Sequence, residues 1–314
     1  MSSSETLDIK NYIGLTGDTP IRFIASDVDG TLVNEAKTVD PEVVDAVRAA
    51  RESGIRVAIA SGRAWHEMDD VIDAMPCLRY FVCTNGAYVM DKEEQKELVH
   101  ISFDKTRAMD LVRKLMTYGV FVEAYVKAEI FGQYPVVGNE TLQAEHFFRP
   151  NIRPFILKTR TMVPDLLAHL ESLPEGPEKI QIFYGDERIR ERILADLRDE
   201  FQGATTDGKG RERFYDVLES SEGNLEFVLP HTTKGTAVEA LANHWGYTPD
   251  EVMTIGDSEN DLSMIHFAGA SVAMGNARDN VKTVARYETT DNNHYGVAQA
   301  LYSAIAHNRE LEGK

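Results

Sequence analysis

Cysteine is scarce in this sequence, which has only Cys77 and Cys83 among 314 residues. Both stand in apolar settings, a pattern that favours buried thiols in a reducing compartment over a disulfide framework. Two thiols do not make a zinc site, and neither His66 nor His244 has a second histidine at metal-ligand spacing. The sequence therefore argues against a disulfide-rich secreted protein and against a zinc protein.

Long apolar runs and basic charge are also in short supply. No run approaches the roughly 20 residues that a membrane span requires, and the serine-rich, charged stretch from Met1 to Lys10 predicts neither a signal peptide nor an anchor. The net charge of −18 argues against broad contact with nucleic acid or anionic membrane. We expect a cytoplasmic protein, monomeric or homodimeric, in which any anionic substrate meets locally supplied positive charge.

What the sequence does contain is a strand that ends in two carboxylates. Residues 21–26 are apolar and β-prone, and Asp27, Asp29 and Gly30 follow them directly. Ligands of open α/β sheets bind just beyond the carboxyl ends of the strands, so both aspartates stand where chemistry is expected. Taken alone, the motif is also compatible with an Asx-type turn.

A repeated strand and helix pattern follows. A helix is expected from Pro41, with Asp40 as its N-cap and Gly54 just beyond its end. Short apolar strands are expected over residues 55–60 and 80–83, with a helix between them. This alternation predicts a parallel sheet with right-handed crossovers.

The pattern changes after residue 86 and resumes after about residue 230. Between these points helices alternate with antiparallel-looking strands, which predicts an inserted α+β domain. With 43% hydrophobic residues, the chain is long enough to form two domains. The predicted segments are a mobile N-terminal extension (1–20), a first core segment (21–86), the insertion (87–230) and a second core segment (231–314).

Two later segments return to the same edge of the predicted sheet. Lys234 stands in the first turn of a helix, where the helix dipole favours an anion rather than a cation, so the lysine makes sense if a phosphate lies there. A strand over residues 252–255 runs into Asp257, and Asp261 follows four residues later on the same side of a helical turn. Taken singly, Lys234 reads as a solvated surface lysine, and Ser61 as an ordinary helix N-cap.

Four elements in order, Asp-Val-Asp-Gly-Thr-Leu, Ser-Gly-Arg, Lys-Gly and Gly-Asp-Ser-Glu-Asn-Asp, resemble the haloacid dehalogenase superfamily of phosphohydrolases. Their order, the chain length and the position of the insertion are most similar to its Cof-like branch, which carries a large α/β cap. The resemblance covers the chain from about Ile21 onward. It implies an α/β fold, a Rossmann-like parallel-sheet core with an inserted α+β cap domain.

The resemblance also implies roles for individual residues. Asp27 would be the nucleophile that forms an aspartyl-phosphate, and Asp29 the general acid for the leaving alcohol and then the base for water. The residues that would contact the phosphate are Gly30, Ser61, Gly62, Lys234 and Asn260. The residues that would hold Mg²⁺ are Asp27, Asp29 through its main-chain carbonyl, Asp257, and Asp261 directly or through water.

Electrostatics independently requires such a set. Each pair of unit negative charges about 4 Å apart costs of order 4 kcal/mol at an effective dielectric near 20, so a carboxylate attacks a phosphate dianion only with compensation. Magnesium and Lys234 would supply it. We therefore expect a magnesium-dependent phosphatase acting on small phosphorylated metabolites, sugar phosphates or related cofactor phosphates. A phosphomutase of similar motif and cap type, or a catalytically idle phosphate-binding protein, remains an alternative.

The predicted insertion contains one segment with two interpretations. Residues 146–155 interleave Arg149 and Arg153 with aromatic side chains, and Lys158 and Arg160 follow. The segment fits a cap surface that reaches a second anionic group or a ring of the substrate. It also fits a helix-to-strand connection with solvated arginines, which we favour. Glu123 and Tyr125 are further candidates whose direction the sequence does not determine.

Overall fold

The computed structural model describes residues 13–127, 129–138, 140–202, 213–219 and 223–313. The chain divides into two compact units. The first comprises residues 1–63, 68–99 and 233–314, and the second comprises residues 64–67 and 100–232. The second unit is thus inserted into the sequence of the first. Residues 1–12, part of the predicted N-terminal extension, lie outside the described residues.

The described residues form both strands and helices throughout the two units. The strands are β1 (Phe23–Ser26), β2 (Arg56–Ala60), β3 (Tyr80–Cys83), β4 (Tyr88–Asp91), β5 (Lys96–His100), β6 (Phe121–Val126), β7 (Glu129–Gln133), β8 (Val136–Val137), β9 (Glu140–Thr141), β10 (Thr161–Met162), β11 (Lys179–Phe183), β12 (Asp216–Leu218), β13 (Asn224–Val228), β14 (Val252–Gly256), β15 (Ala270–Ala273) and β16 (Tyr287–Glu288). The α-helices are α1 (Pro41–Glu52), α2 (Asp69–Ala74), α3 (Lys105–Met116), α4 (Arg153–Thr159), α5 (Leu166–Ser172), α6 (Glu187–Gln202), α7 (Lys234–Trp245), α8 (Leu262–Phe267), α9 (Asp279–Val284) and α10 (Gly296–Glu312).

One eight-stranded sheet, in the order β16-β15-β14-β1-β2-β3-β4-β5, organises the first unit. The strands from β16 to β3 run parallel, and β4 turns back antiparallel to β3. Phe23 and Ala25 of β1 pack in one buried cluster with Val238 and Leu241 of α7. The predicted α/β class with a parallel-sheet core is confirmed by this arrangement.

Local signals in the sequence locate the first helix. Helix α1 begins at Pro41, which follows Asp40 in an extended conformation, and its buried residues recur on one face. Gly54 follows the helix with a φ of +88°, a conformation that glycine adopts without steric cost. The hairpin after β3 was predicted to begin the insertion, but its strand β4 pairs with β3, so the first unit continues to residue 99.

Residues 13–20 are the described part of the predicted mobile extension. Their backbone groups, and those of the adjoining Ile21, form hydrogen bonds with side chains of α10. The Ile13 amide donates to Ser303 Oγ at 2.8 Å, and Thr19 O lies 3.0 Å from His307 Nε2. The Asn308 side chain accepts from the Ile21 amide and donates to the Ile21 carbonyl, at 2.8 and 2.7 Å. These partners lie near the other end of the chain, so local composition does not reveal them.

A second, six-stranded sheet in the order β10-β7-β6-β11-β13-β12 forms the inserted unit. Its pairs are antiparallel except for β10 with β7. Because side chains alternate along a strand, Val122 and Ala124 of β6 join a buried cluster with Leu111 of α3 and Leu197 of α6. Phe121, on the opposite face of β6, joins a separate aromatic cluster.

None of the helices within the described ranges is both long and apolar enough to cross a membrane.

Asp91 stabilises the β3–β4 hairpin, and its substitution gives a first prediction. The side chain is 3% exposed and accepts from Arg79 Nη2 at 2.6 Å and from the amides of Glu93 and Glu94 at 3.1 and 3.2 Å. Burial raises the pKa of Asp91, but the hydrogen bonds from Arg79 and the two amides outweigh it, so the net pKa is lowered. We expect Asp91→Asn to reduce the free energy of unfolding at pH 7 by about 2 kcal/mol.

The sign of the pH dependence follows from the lowered pKa. The carboxylate stabilises the fold above the unfolded-state pKa of about 3.9, and this contribution is lost as the pH falls through the lower pKa of the folded state. Urea unfolding of both proteins between pH 3 and 8 measures it, with the exposed Asp73→Asn as a control of equal charge change. Equal losses in the two variants would contradict the assignment.

Candidate active site

Asp27 and Asp257 lie side by side because their strands are neighbours. Strand β1 pairs in parallel with β14, with Ser26 opposite Ile255, so the residues that follow both strands emerge at the same sheet edge. Asp261 ends a short 3₁₀ turn that begins two residues after Asp257. One carboxylate oxygen from each of Asp27, Asp257 and Asp261 lies within 4.8 Å of the others. The structure thus brings Asp27 next to two carboxylates that lie more than 200 residues later in the sequence.

Lys234 lies at the centre of this carboxylate group. Its Nζ donates to Asp27 Oδ1 at 2.5 Å and to Asp261 Oδ1 at 2.7 Å, and its side chain is only 1% exposed. Burial lowers the pKa of Lys234, but the charges of Asp27 and Asp261 outweigh it and raise the net pKa above its ordinary value. The interpretation as a solvated surface lysine is therefore wrong. The lysine is a fixed, buried cation.

The charges of this group do not balance without another cation. Burial and the charge of Asp261 raise the pKa of Asp27, although Lys234 opposes them. Burial and Asp261 likewise raise the pKa of Asp257, against a hydrogen bond from Thr31 Oγ1 at 3.1 Å. A divalent cation would relieve the same repulsion that now favours protons, and carboxylate oxygens suit Mg²⁺. The residues present therefore fit a metal site.

Asp261 differs from the other two carboxylates because both of its oxygens have protein donors. Oδ1 accepts from Lys234, and Oδ2 accepts from the amides of Asp257 and Ser258, both at 3.0 Å. These contacts fix the loop that carries Asp257. Such a carboxylate fits a supporting role behind the metal ligands.

Asp29 lies two residues after Asp27 and has different partners. Arg63 contacts both of its oxygens, Nε to Oδ2 at 2.7 Å and Nη2 to Oδ1 at 2.6 Å, and Lys37 Nζ lies 3.3 Å from Oδ1. Burial raises the pKa of Asp29, but the hydrogen bonds and charges of Arg63 and Lys37 outweigh it and lower the net pKa. The Asp29 side chain is 44% exposed and is held ionised in this arrangement.

Gly30 allows the backbone to approach Asp257. It has a φ of +81°, and a Cβ at this position would lie 2.6 Å from Asp257 Oδ2. Its carbonyl accepts from Asn276 Nδ2 at 2.7 Å. Any larger residue at position 30 would both strain the backbone and displace a candidate metal ligand.

Three other residues predicted to contact phosphate, Ser61, Gly62 and Asn260, all lie next to Asn85. A Cβ on Gly62 would lie 3.1 Å from Asn85 Oδ1, and the same oxygen accepts from Asn260 Nδ2 at 3.3 Å. The Asn85 amide donates to the carbonyl of Ser61, which is buried, at 3.0 Å. Asn85 thus links the Ser61–Gly62 segment to Asn260.

Sequence reasoning missed three of these neighbours: Arg63, Thr31 and Asn85. Arg63 belongs to the Ser-Gly-Arg motif and Asn85 to the Thr-Asn-Gly end of a predicted strand, but neither was given a role. The one available signal was position, since both follow parallel strands of the same sheet. Their partners are visible only in three dimensions.

Residues 146–155, which interleave arginines with aromatic side chains, were interpreted either as a cap surface that reaches the substrate or as a helix-to-strand connection. The structure matches neither interpretation completely. Residues 153–159 form α4, which was not predicted because it has only seven residues and a proline in its first turn. Phe147 and Phe148 pack in the aromatic cluster around Phe121. Arg153 Nη1 lies 3.3 Å from Glu145, and a cleft of about 460 Å³ within the second unit is lined by Arg149, Arg153 and these rings.

Arg160 was expected to be solvated but is buried. Its Nε donates to Glu123 Oε2 at 3.1 Å, its Nη2 donates to Tyr125 Oη at 3.1 Å, and its Nη1 lies 2.6 Å from Glu67. Glu123 and Tyr125 are buried as well, and Tyr125 Oη also contacts Gln181. This ionic network lies within the second unit, where the carboxylates offset the cost of burying the guanidinium.

Comparison with known proteins identifies the family. The model of the haloacid dehalogenase-like hydrolase family matches residues 24–301. Phosphatase YwpJ of Bacillus subtilis is 30% identical over 90% of this chain and 99% of its own, and the 5-amino-6-(5-phospho-D-ribitylamino)uracil phosphatase YcsE of the same bacterium is 28% identical over 90% and 96%. A crystal structure of a haloacid dehalogenase-like hydrolase from Bacteroides thetaiotaomicron matches with a TM-score of 0.74 at 27% identity, over 90% of this chain and 98% of that one.

These matches extend over both units and cover nearly the full length of the matched proteins. The predicted fold and the predicted enzyme class, a phosphoric monoester hydrolase, are both confirmed. The family match begins inside β1, shortly before Asp27, and includes all four motifs. The chain belongs to the haloacid dehalogenase-like hydrolases.

Proposed function

We propose that this hydrolase is a magnesium-dependent phosphatase that acts on small phosphorylated metabolites, sugar phosphates or related cofactor phosphates, through an aspartyl-phosphate intermediate. One observation carries the proposal: Lys234 Nζ bridges Asp27 and Asp261, and Asp257 lies beside them. A nucleophilic carboxylate with a cation on one oxygen and a metal-binding neighbour is what attack on a phosphate dianion requires. The ribitylamino-uracil relative, a phosphatase of a phosphorylated ribityl compound by its name, supports the substrate class.

The reaction divides into two displacements at phosphorus. In the first, a carboxylate oxygen of Asp27 forms a bond to phosphorus while the bond to the leaving alcohol oxygen breaks, and Asp29, which must be protonated when the substrate is bound, gives that oxygen its proton. In the second, Asp29 takes a proton from water as the water oxygen bonds to phosphorus and the Asp27–phosphorus linkage breaks. The products are the free alcohol and inorganic phosphate, and both aspartates return to their starting forms.

The pairing of Asp29 with Arg63 bears on the first displacement. Since two guanidinium contacts keep the carboxylate ionised, it accepts a proton only when this pair opens. Asp29 is also the more exposed of the two aspartates, which leaves it room to reach a leaving group. The buried Asp27, by contrast, stays fixed by Lys234. The different surroundings of the two carboxylates thus favour different roles.

The charge of the phosphoryl group is met by several fixed groups. We assign phosphate contacts to the Ser61 hydroxyl, to Lys234, to the Asn260 side chain and to the amides near Gly30 and Gly62. The Asp27 and Asp257 carboxylates and the Asp29 carbonyl would hold Mg²⁺, with Asp261 orienting them, and the ion would neutralise phosphoryl oxygens when bound. Lys234 alone does not balance the three carboxylates around it, which supports the need for the ion.

Phosphate release tests the proposal. The purified protein is assayed on a panel of sugar phosphates, nucleotides and cofactor phosphates, with Mg²⁺ and with excess chelator. We expect release from at least one compound and a loss of about 100-fold or more on chelation, since a metal ion contributes several kcal/mol to such a transition state.

The outcomes separate the alternatives. Conversion of a sugar monophosphate into its isomer without free phosphate would identify a phosphomutase. Binding of phosphate without any turnover would identify a phosphate-binding protein. Release that persists at full rate with chelator would overturn the role of the metal but leave the phosphatase.

A further inference from the structure

The turn after β3 has an unusual backbone. Thr84, Asn85 and Gly86 have consecutive φ values of +51°, +53° and +105°. Glycine adopts such values freely and asparagine tolerates them, but threonine, which is branched at Cβ, does not. Strain of this kind persists where surrounding contacts enforce it, and it is common at functional sites.

The turn is enforced by contacts to two of the four motif segments. The Thr84 amide donates to the Arg63 carbonyl at 2.9 Å, and the Asn85 amide donates to the Ser61 carbonyl at 3.0 Å. Gly86 lies against the start of α7, where an added Cβ would come within 2.3 Å of the Thr233 carbonyl. The turn is thus wedged between the Ser-Gly-Arg segment and the helix that begins at Lys234.

A chain of side-chain hydrogen bonds connects the turn to a third motif segment. Ser258 Oγ donates to Asn260 Oδ1 at 2.8 Å, and Asn260 Nδ2 donates to Asn85 Oδ1 at 3.3 Å. Ser258 donates to Asn260, and Asn260 donates to Asn85. The side-chain oxygen of Asn85, Oδ1, therefore already accepts a hydrogen bond, and its side-chain nitrogen, Nδ2, stands at the end of the series. Among the described residues, Asn85 Nδ2 donates to no acceptor, although 91% of the residue's surface is covered.

The position of this free donor is restricted by its neighbours. The Asn85 amide group lies against Gly62, at 3.1 and 3.3 Å from where a Cβ would be, and Gly62 directly follows Ser61. An alanine at position 62 would push the amide away. The donor is therefore held between the three segments to which the proposed function assigns phosphate contacts, namely those of Ser61, Lys234 and Asn260.

We infer that Asn85 is a further substrate-binding residue, whose side-chain amide nitrogen donates to a phosphoryl oxygen of the phosphate monoester. The inference rests on the proposed function. It explains why the carbonyl end of the side chain is tied to Asn260, since this tie presents the N–H end to the ligand. It also explains the strained turn, because a relaxed backbone at Thr84 and Asn85 would move the amide off Gly62.

Two substitutions separate this role from a purely conformational one. Asn85→Gly keeps the left-handed backbone and removes the donor. Asn85→Asp also tolerates that backbone and keeps an oxygen for Asn260, but it replaces the donor with a negative charge. If asparagine is present only for its backbone preference, Asn85→Gly binds phosphate as the parent does, and Asn85→Asp loses only what its added charge costs. A matched control is Asn243→Asp, an exposed residue near the other end of α7.

The probe is inorganic phosphate, titrated calorimetrically into the Mg²⁺-loaded protein, alongside hydrolysis of p-nitrophenyl phosphate. We expect Asn85→Gly to weaken phosphate binding and lower kcat/KM by about 10- to 100-fold, which is the effect of losing one hydrogen bond to a charged group. We expect Asn85→Asp to lose more. The Mg²⁺ affinity of both variants and their thermal midpoints, within about 2 °C, should match the parent.

The inference is overturned if Asn85→Gly binds phosphate as tightly as the parent, if the parent itself does not bind it, or if weaker binding comes with a comparable loss of Mg²⁺ affinity or thermal stability. Failure of the proposed phosphatase function would give a different result. In that case the parent binds phosphate, and loses this binding on substitution of Asn85, but releases no phosphate from any monoester.

Discussion

Asp27→Asn is expected to lower kcat/KM for phosphate release by at least about 10⁴-fold. A carboxamide has no lone pair of comparable nucleophilicity, so the first displacement stops before a bond to phosphorus forms. The substitution also replaces one of the two carboxylates that contact Lys234, which leaves Asp261 as the lysine's anionic partner. Single-turnover assays on the best substrate of the panel would measure the loss.

The same variant should fold at least as well as the parent when no metal is present. Burial and the charge of Asp261 raise the pKa of Asp27, so the ionised carboxylate is unfavourable in the folded state without a cation. A neutral side chain of the same shape removes this repulsion. Thermal unfolding in chelator would show an equal or higher midpoint, and added Mg²⁺ should raise the midpoint of the parent more than that of the variant.

The exposed Asp73→Asn, which changes the net charge equally, serves as the control for both measurements. Metal-dependent turnover retained in Asp27→Asn would remove Asp27 from the nucleophile's role. A large drop in its thermal midpoint would instead show that the carboxylate is needed for the fold.

Lys234→Met is expected to have the second largest effect, and on both activity and stability. It removes the buried cation that contacts Asp27 and Asp261, and each is then left as an uncompensated buried charge. Breaking a buried ion pair in this way costs about 3–5 kcal/mol. Loss of a fixed donor to the phosphoryl group should lower kcat by a further 10²–10³-fold or so.

Metal should partly rescue the stability of this variant but not its activity. A divalent cation on Asp27 and Asp257 neutralises one of the two carboxylates that the lysine contacts, so part of the lost free energy of unfolding should recover in Mg²⁺ and be lost again in chelator. Lys96→Met, an exposed lysine in β5 of the first unit, controls for the loss of a positive charge. Equal stability of Lys234→Met and the control in chelator would contradict the buried network.

Much of the fold was predictable because its signals are local. The start of α1 at Pro41 and its end before Gly54 depend on the backbone preferences of proline and glycine. The buried strands β1, β2 and β3 are short apolar runs that end in polar residues. Elements without such signals were missed, among them α4. This helix is short, and its Ile156 packs in the aromatic cluster around Phe121, a contact that the local sequence does not reveal.

The candidate site likewise has features that short sequence segments predict and features that they do not. Asp27 and Asp257 stand out in sequence because each directly follows an apolar strand, and Asp29 because it lies two residues after Asp27; the order of the strands brings those strand ends together. Burial of Lys234 was not predictable, since its partners lie 207 and 27 residues away along the chain. Nor was the pairing of Asp29 with Arg63, which depends on the adjacency of β1 and β2.

By itself, the sequence determined the family, the carboxylates that follow its strands and the residue types that the proposed phosphoryl transfer needs, because these are properties of short contiguous segments. Only the tertiary structure decided which groups pair: Lys234 with two carboxylates, Arg63 with Asp29, and Asn85 with Asn260. The physical reason is that charge, burial and hydrogen bonding depend on distances between atoms. Here the decisive distances, of 2.5 to 3.3 Å, join segments that the chain itself keeps far apart.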